Sequence, residues 1–181
     1  MGFPVKIVIP KGQAEQKVEL LRLYGASLLQ VDPCPFRDEN HYYHTAKKIA
    51  AADSKKFWWA NQFENTSNQQ AHYEGTAPEI LKSLEGSVDY FVASSGSGGT
   101  MGGCSRYFKE HSPRTRVVLA DPTGSGLTSY VRHREFKSEG GGSITEGIGI
   151  MRLVANFGKA IVDEAVTITD QELVTMAYHV R

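Results

Sequence analysis

The chain has 181 residues, of which 40% are hydrophobic and 22% are charged, and these proportions are typical of globular domains rather than of a disordered polypeptide. Lys plus Arg and Asp plus Glu number 20 each, so the formal net charge is zero. This balance gives no electrostatic basis for binding nucleic acid or an anionic membrane, and no apolar run is long enough to span a bilayer. We therefore expect no nucleic-acid partner and no membrane segment.

The two cysteines, Cys34 and Cys104, lie far apart in the sequence and form no Cys-x-x-Cys motif. Neither a disulfide framework nor a zinc site is expected from this spacing. The first residues carry no secretory signal, because an apolar run typical of a strand begins at Val5. Reduced thiols and the lack of a signal predict a cytoplasmic protein. A mitochondrial location is the alternative if an upstream targeting segment exists.

Strands and helices alternate in the predicted structure. Apolar, often β-branched runs predict five strands, at residues 5–9, 26–31, 57–59, 88–93 and 116–120. Apolar residues at helical spacing predict helices over 14–24, 38–52, 71–84 and 100–111, with Asp38 as the cap of the second. Thr169 and Glu172 are spaced as a capping box that begins a last helix, whereas residues 125–142 are expected to be irregular. This alternation predicts an α/β protein with a three-layer, mostly parallel sheet.

The segment Ser-Ser-Gly-Ser-Gly-Gly-Thr at residues 94–100, here called the glycine loop, joins the strand at 88–93 to the following helix. Glycines allow backbone N–H groups to converge, hydroxyl groups add donors, and the start of a helix adds positive partial charge. The loop also lies at the carboxyl end of a strand, where α/β sheets bind ligands. A phosphate site is predicted, and an ordinary strand-to-helix turn is the alternative.

Other known signatures do not fit the chain. The glycine loop lacks the lysine of a Walker motif and the glycine spacing of a dinucleotide fingerprint, so a single phosphate group fits it best. There is no Gly-x-Ser-x-Gly elbow, and no further ligand type clusters in sequence with His41 and His44. We therefore expect neither a nucleophile of that kind nor a metal site.

Four ordered segments carry a family resemblance that spans essentially the whole chain. They are residues 61–65 (Asn-Gln-Phe-Glu-Asn) with 71–74 and 78–80 behind them, the glycine loop, residues 121–125 (Asp-Pro-Thr-Gly-Ser) and residues 143–149 (Ser-Ile-Thr-Glu-Gly-Ile-Gly). Together they resemble the cysteine synthase and cystathionine β-synthase family of pyridoxal-phosphate enzymes, and are closest to the cysteine synthases of bacteria and fungi.

The resemblance implies a fold, a cofactor and site residues. The fold would comprise parts of two domains of the tryptophan-synthase-β-like type: residues 1–60 in the smaller N-terminal domain and 61–181 in the cofactor-binding domain. The cofactor would be pyridoxal 5'-phosphate, and Gln62 would bind the substrate carboxylate while Gly147 lines the substrate side. The alternative for Gln62 is an amide that ties a loop to the backbone, and the alternative for Gly147 is a plain turn. The residues implied to hold the cofactor phosphate are Gly96, Ser97, Gly98, Gly99 and Thr100.

The resemblance also implies a reaction, the replacement of the acetate of O-acetylserine by sulfide to give cysteine. One alternative is the condensation of serine with homocysteine. The other is that the chain is a catalytically inactive relative with a binding or regulatory role. The implied partners are a small amino-acid substrate and a second copy of the chain. The family joins its cofactor to a Lys that precedes a strand like residues 5–9, and no such Lys is in this sequence. We therefore name no catalytic residue and expect the 181 residues alone to be inactive.

Overall fold

The computed structural model describes residues 2–138 and 140–181, and the chain divides into two units, Met1–Ala60 and Asn61–Arg181. Each unit has its own sheet, and every strand pair in both sheets is parallel, as the alternation of strands and helices predicts. Within the described ranges, every helix is too short or too polar to cross a lipid bilayer.

The first unit contains a two-stranded parallel sheet, β1 (Lys6–Pro10) and β2 (Ser27–Val31), joined by helix α1 (Glu15–Leu23). The N–H group of Gly25 donates to the carbonyl of Arg22, and its φ of 82° shows why a glycine ends this helix. Helix α2 follows at Tyr42–Ala52.

Two predictions for the first unit are wrong. Asp38 does not cap α2: its carboxylate accepts from the N–H of Asn40 in the preceding turn, and His41 is the cap. The aromatic run at 57–59 is not a strand. The N–H of Phe57 donates to Asp53 just after α2 instead of to a neighbouring strand, and Trp58 is 80% exposed. A β-prone run forms a strand only where a partner strand is available.

The second unit begins with a helical stretch that is not one regular helix. Helices α3 (Ser67–Ala71) and α4 (Ala77–Ser83) are separated by a π-helical segment, His72–Thr76. The stretch thus begins before the predicted start at residue 71. Such π segments widen a helix locally and are frequent at functional sites.

The sheet of the second unit has the order β3-β4-β5, with strands at Tyr90–Ala93, Arg116–Pro122 and Glu164–Ile168. Helix α5 (Gly99–His111) connects β3 to β4, and α6 (Leu127–His133) and α7 (Ala155–Gly158) lie between β4 and β5. Helix α8 (Asp170–His179) starts with the predicted capping box of Thr169 and Glu172. The sequence did not predict β5, α6 or α7, because the polar residues Glu164 and Thr167 interrupt the apolar residues of β5 and the two helices are short.

One core cluster joins the sheet to α5, α6 and α7. Its members are apolar side chains that are at most 2% exposed, namely Met101, Val117, Leu119, Leu127, Val154, Phe157 and Ala165. The carboxyl ends of the strands, which carry the glycine loop and the Asp-Pro-Thr-Gly-Ser turn, are therefore anchored on a packed layer.

Asp163 and Lys109 form an ion pair that joins the end of α5 to the entrance of β5. The carboxylate of Asp163 accepts from Lys109 and from the N–H of Val117, both at 2.7 Å, and Lys109 also donates to the carbonyl of Thr115. Partial burial alone would raise the pKa of Asp163, but these hydrogen bonds together lower it. A lowered carboxyl pKa stabilises the fold above the pKa of the unfolded state, and this contribution is lost as the pH falls.

We expect Asp163→Asn to lower the free energy of unfolding by about 1–2 kcal/mol at pH 7, since a neutral amide cannot replace the charge-assisted bonds. The difference from the parent chain should persist down to about pH 4 and shrink below it. Urea unfolding followed by circular dichroism at pH 7 and pH 3 measures both effects. Glu164→Gln is the control, because its pair with Arg116 is about half exposed and should contribute less than about 0.5 kcal/mol. Equal losses in the two variants would contradict this account.

Candidate functional site

The glycine loop places a row of backbone donors at the start of α5. Gly98 is the residue before the helix and has a left-handed backbone with a φ of 84°. In the part of the chain that the structure describes, none of the N–H groups of residues 96–100 donates to a protein acceptor. The hydroxyl of Ser95, which is 3% exposed, likewise lacks a partner among the described residues. A buried hydroxyl is normally paired, and free N–H groups at a helix start are a common anion site, so Ser95 and the N–H groups beside it together point to a missing acceptor.

Two side-chain hydroxyls complete this donor set. Ser97 Oγ accepts from Asn68 Nδ2 at 2.9 Å, which leaves its own hydrogen available to a ligand. Thr100 is exposed, and its Oγ1 lies 3.2 Å from His72 Nε2. Convergent N–H and O–H donors at a helix N-terminus are the groups that a phosphate requires. The donor set therefore fits the phosphate of pyridoxal phosphate, although the cofactor role of these residues stays a prediction.

The π-helical segment positions His72 between two threonines. His72 Nδ1 lies 2.9 Å from Thr76 Oγ1, while Nε2 faces Thr100. In either neutral tautomer the ring therefore accepts from one hydroxyl and donates to the other. The hydroxyl orientation of Thr100 depends on this choice, so the π-helical segment influences one donor of the predicted phosphate site.

Gln62 has an exposed side chain and a firmly held backbone. Its carbonyl accepts from Asn68 Nδ2 and from Asn156 Nδ2, both at 2.8 Å. Asn61 before it has a φ of 43°, a left-handed conformation that asparagine tolerates. Because Asn68 also donates to Ser97, one amide group connects Gln62 directly to the glycine loop.

Gly147 lies against the other side of the glycine loop. A Cβ atom at Gly96 would overlap the carbonyl oxygen of Gly147, and the N–H of Gly149 donates to the carbonyl of Ser95 at 2.9 Å. A cavity of about 190 Å³ is lined by residues 122–125 and by residues of the 142–151 segment. The structure thus brings the predicted segments around Gln62, the glycine loop and Gly147 together.

Glu64 and Arg152 tie the Gln62 segment to the entrance of α7. The carboxylate of Glu64 accepts from Arg152 and, at 2.9 Å, from the N–H of Ala155. Partial burial alone would raise the pKa of Glu64, but the two hydrogen bonds and the positive charge of Arg152 together lower it. The charged carboxylate therefore holds α7 against residues 62–65 at neutral pH.

Two buried ionisable groups near the sheet have different surroundings. Burial raises the pKa of Asp121. Its Oδ2 accepts from the N–H and the hydroxyl of Thr128, whereas Oδ1 has no partner in the described residues. Burial also raises the pKa of Cys104 to about 11, so its thiol is protonated and unreactive at neutral pH. No cluster of three or more His, Cys, Asp or Glu within residues 2–138 and 140–181 is positioned to hold a metal ion.

The sequence pointed to the glycine loop, Gln62 and Gly147, but not to the polar residues that support them. Asn68, His72 and Asn156 contact these groups from elements that are distant in the chain. His72 stands in one of the quoted motifs, and Asn156 follows the Gly147 segment by a few residues. A single asparagine or histidine carries no periodic or spacing signal, so only the fold identifies these three.

We expect Gly98→Ala to lower the free energy of unfolding by about 2–4 kcal/mol and to abolish phosphate binding. Alanine is strained at this φ, and its Cβ would lie 2.6 Å from the backbone nitrogen of Phe157. Thermal and urea unfolding measure the first effect, and calorimetry with inorganic phosphate measures the second. Gly75→Ala is the matched control, since nothing lies within 4 Å of its Cβ position. Unchanged phosphate affinity in a folded Gly98→Ala chain would refute the site.

Residues 1–180 match the family described as pyridoxal-phosphate dependent enzyme. Cysteine synthase 2 of Schizosaccharomyces pombe is 40% identical, and the match covers 98% of this chain and 49% of that protein. The putative mitochondrial cysteine synthase of Saccharomyces cerevisiae is 34% identical, with 98% and 50% covered. The chain therefore spans about half the length of these curated relatives.

A solved structure agrees with the sequence relatives. The crystal structure of a hydrogen sulfide-producing enzyme from Fusobacterium nucleatum superposes with a TM-score of 0.81 at 27% identity, and the match covers 98% of this chain and 56% of that one. The predicted α/β fold with parallel strands is confirmed, and so is the predicted family resemblance. The chain belongs to the pyridoxal-phosphate dependent enzymes, whose cofactor is pyridoxal 5'-phosphate.

Proposed function

We propose that this chain supplies the phosphate site and part of the substrate site of an enzyme that makes cysteine by replacing the acetate of O-acetylserine with sulfide. The observation that carries the proposal is the row of N–H groups at residues 96–100 without a protein acceptor, beside the segment of Gln62. The cysteine synthase names of the relatives favour sulfide as the acceptor over homocysteine.

The glycine loop would bind the cofactor through its phosphate. The N–H groups of Gly96, Ser97, Gly98, Gly99 and Thr100 with the two hydroxyls would neutralise the phosphate charge, and α5 would add its N-terminal partial charge. The chemistry supplied by bound pyridoxal phosphate is electron withdrawal from the substrate Cα. The protein's share at this end is to orient the cofactor.

The substrate would lie between Gln62 and the Gly147 segment. The exposed amide of Gln62 would donate to the substrate carboxylate, and its backbone is held by two asparagine side chains. Gly147, with a φ of 83°, would line the opposite side, where its carbonyl already packs on Gly96. We assign no catalytic residue within the 181 residues.

The whole protein would act as a homodimer on a small amino-acid substrate. Its two units would have different roles. We assign residues 61–181 to the cofactor-binding domain, because all three site segments belong to that unit, and residues 1–60 to the smaller domain. The cytoplasm is the proposed compartment, with the mitochondrion as the alternative because of the yeast relative's name.

Ser97→Ala and Thr100→Val should each weaken the binding of pyridoxal phosphate to the 181-residue chain about tenfold, since each removes one donor to a charged group. Fluorescence or calorimetric titration measures the affinity. Pyridoxal, which lacks the phosphate, is the matched control ligand and should bind much more weakly. Equal affinities for the two ligands, or variants that bind like the parent, would rule out a phosphate site here.

The protein purified from its native cells should form cysteine from O-acetylserine and sulfide at least tenfold faster than cystathionine from serine and homocysteine. Native material is used so that any residues beyond the 181 are present. Product analysis by mass spectrometry measures both reactions. A faster cystathionine reaction would show that homocysteine, and not sulfide, is the acceptor. Inactivity with a working phosphate site would favour the binding or regulatory role.

A further inference from the structure

We propose that Asn156 is a positioning residue that holds Gln62 at a fixed separation from the glycine loop. This inference rests on the proposed function, because the separation matters only if one ligand spans both groups. Asn156 lies on the short helix α7 and is completely buried.

The side chain of Asn156 is bonded to several backbone groups of one segment. Nδ2 donates to the carbonyls of Gln62 at 2.8 Å, Phe63 at 2.9 Å and Asn65 at 3.2 Å. Oδ1 accepts from the N–H of Gln69 at 3.1 Å. One amide therefore fixes both ends of the irregular stretch that carries Gln62, a stretch that has no sheet ladder of its own.

The backbone of the same helix is fixed against the glycine loop and α5. A Cβ atom at Gly102 would overlap the carbonyl oxygen of Asn156, and one at Gly98 would lie 2.6 Å from the nitrogen of Phe157. These approaches leave α7 no room to move toward α5. The backbone of Asn156 thus packs against α5. Its N–H makes one longer bond, 3.3 Å, to the carbonyl of Phe63, whereas its side chain makes the other bonds to the Gln62 segment.

The chemistry of the ligand makes this separation important. A substrate carboxylate at Gln62 and a cofactor phosphate at the glycine loop would be joined through covalently connected atoms of fixed length, so both sites are used together only when their distance matches. A shift of about 1 Å at such a site can cost about two orders of magnitude in rate. Asn68 bonds the carbonyl of Gln62 as well, but its side chain reaches only that one carbonyl of the stretch and also donates to Ser97 of the loop, while its backbone N–H donates to the carbonyl of Asn65.

The test compares two stable ligands by calorimetry on the 181-residue chain. Pyridoxamine 5'-phosphate needs only the phosphate site, whereas N-(5-phosphopyridoxyl)-L-serine carries the phosphate and an amino-acid carboxylate in one molecule. The ratio of their dissociation constants reports whether the distance from Gln62 to the glycine loop matches the distance between the carboxylate and the phosphate of the serine compound. In the parent chain the serine compound should bind about tenfold more tightly, the effect expected for one charge-assisted hydrogen bond.

Asn156→Ala should keep the affinity for pyridoxamine 5'-phosphate within about threefold and abolish the tenfold preference, as Gln62→Ala should. Asn156→Asp keeps the shape and the Oδ1 acceptor but removes the donors, so it provides the same test if the alanine variant does not fold. Leu119→Ala is the control for general destabilisation: Leu119 is a fully buried core residue of β4, and its loss should lower stability without changing the ratio.

The possible failures are distinguishable. A parent chain without the preference would overturn the proposed role of Gln62, and the positioning role with it. A preference that disappears in Gln62→Ala but persists in a folded Asn156 variant would overturn the positioning role alone. A ratio that falls equally in Leu119→Ala would show that Asn156 acts only through stability.

Discussion

The close approach of α7 to the first turn of α5 is the contact on which the candidate site depends. Gly98 and Gly102 have no room for a Cβ atom because the backbone of Asn156 and Phe157 occupies that space. Gly103 has the same restriction against the carbonyl of Gln69. Gly102 and Gly103 lie inside α5, where a glycine normally destabilises a helix by about 1 kcal/mol relative to alanine. Here they permit backbone contacts that bring two distant segments of the chain to the helix N-terminus.

Some buried polar groups near the site are bonded to protein partners and support its backbone, whereas the hydroxyl of Ser95 lacks a partner in the described residues. Asn156 bonds backbone groups, and Glu64 bonds the N–H of Ala155 and the side chain of Arg152. These bonds stabilise the irregular residues 62–66, where no sheet or long helix can do so. Ser95 and the N–H groups of residues 96–100 have no protein partner in the described ranges. An unpaired buried donor such as the Ser95 hydroxyl costs about 1–3 kcal/mol, and free N–H groups that converge at a helix start beside it are the arrangement that binds an anion.

How well each part could be predicted from sequence depended on whether its signal was local. The strand before the glycine loop, the helix after it and the capping box at Thr169 follow from neighbouring residues and were predicted. The aromatic run at 57–59 failed because strand formation needs a partner that sequence does not reveal. β5 was missed because polar residues interrupt its apolar pattern. The glycine loop has a local signal for phosphate binding, whereas Gln62, Gly147 and the identity of the cofactor came from a family resemblance. The supporting roles of Asn68, His72 and Asn156 could not be predicted from sequence, because they arise only from contacts across the fold.

Phosphate binding and carboxylate binding therefore depend on the sequence in different ways. The glycine loop presents its donors through the backbone of one strand-loop-helix unit, so substitutions elsewhere affect it mainly through stability. Gln62 is placed by side chains of α3 and α7, and α7 is held in turn by the Glu64–Arg152 pair and by the glycines of α5. Residues 152–157 include none of the predicted cofactor-binding or substrate-binding residues. Damage to them should nevertheless separate the two functions, leaving an intact phosphate site beside a misplaced carboxylate site.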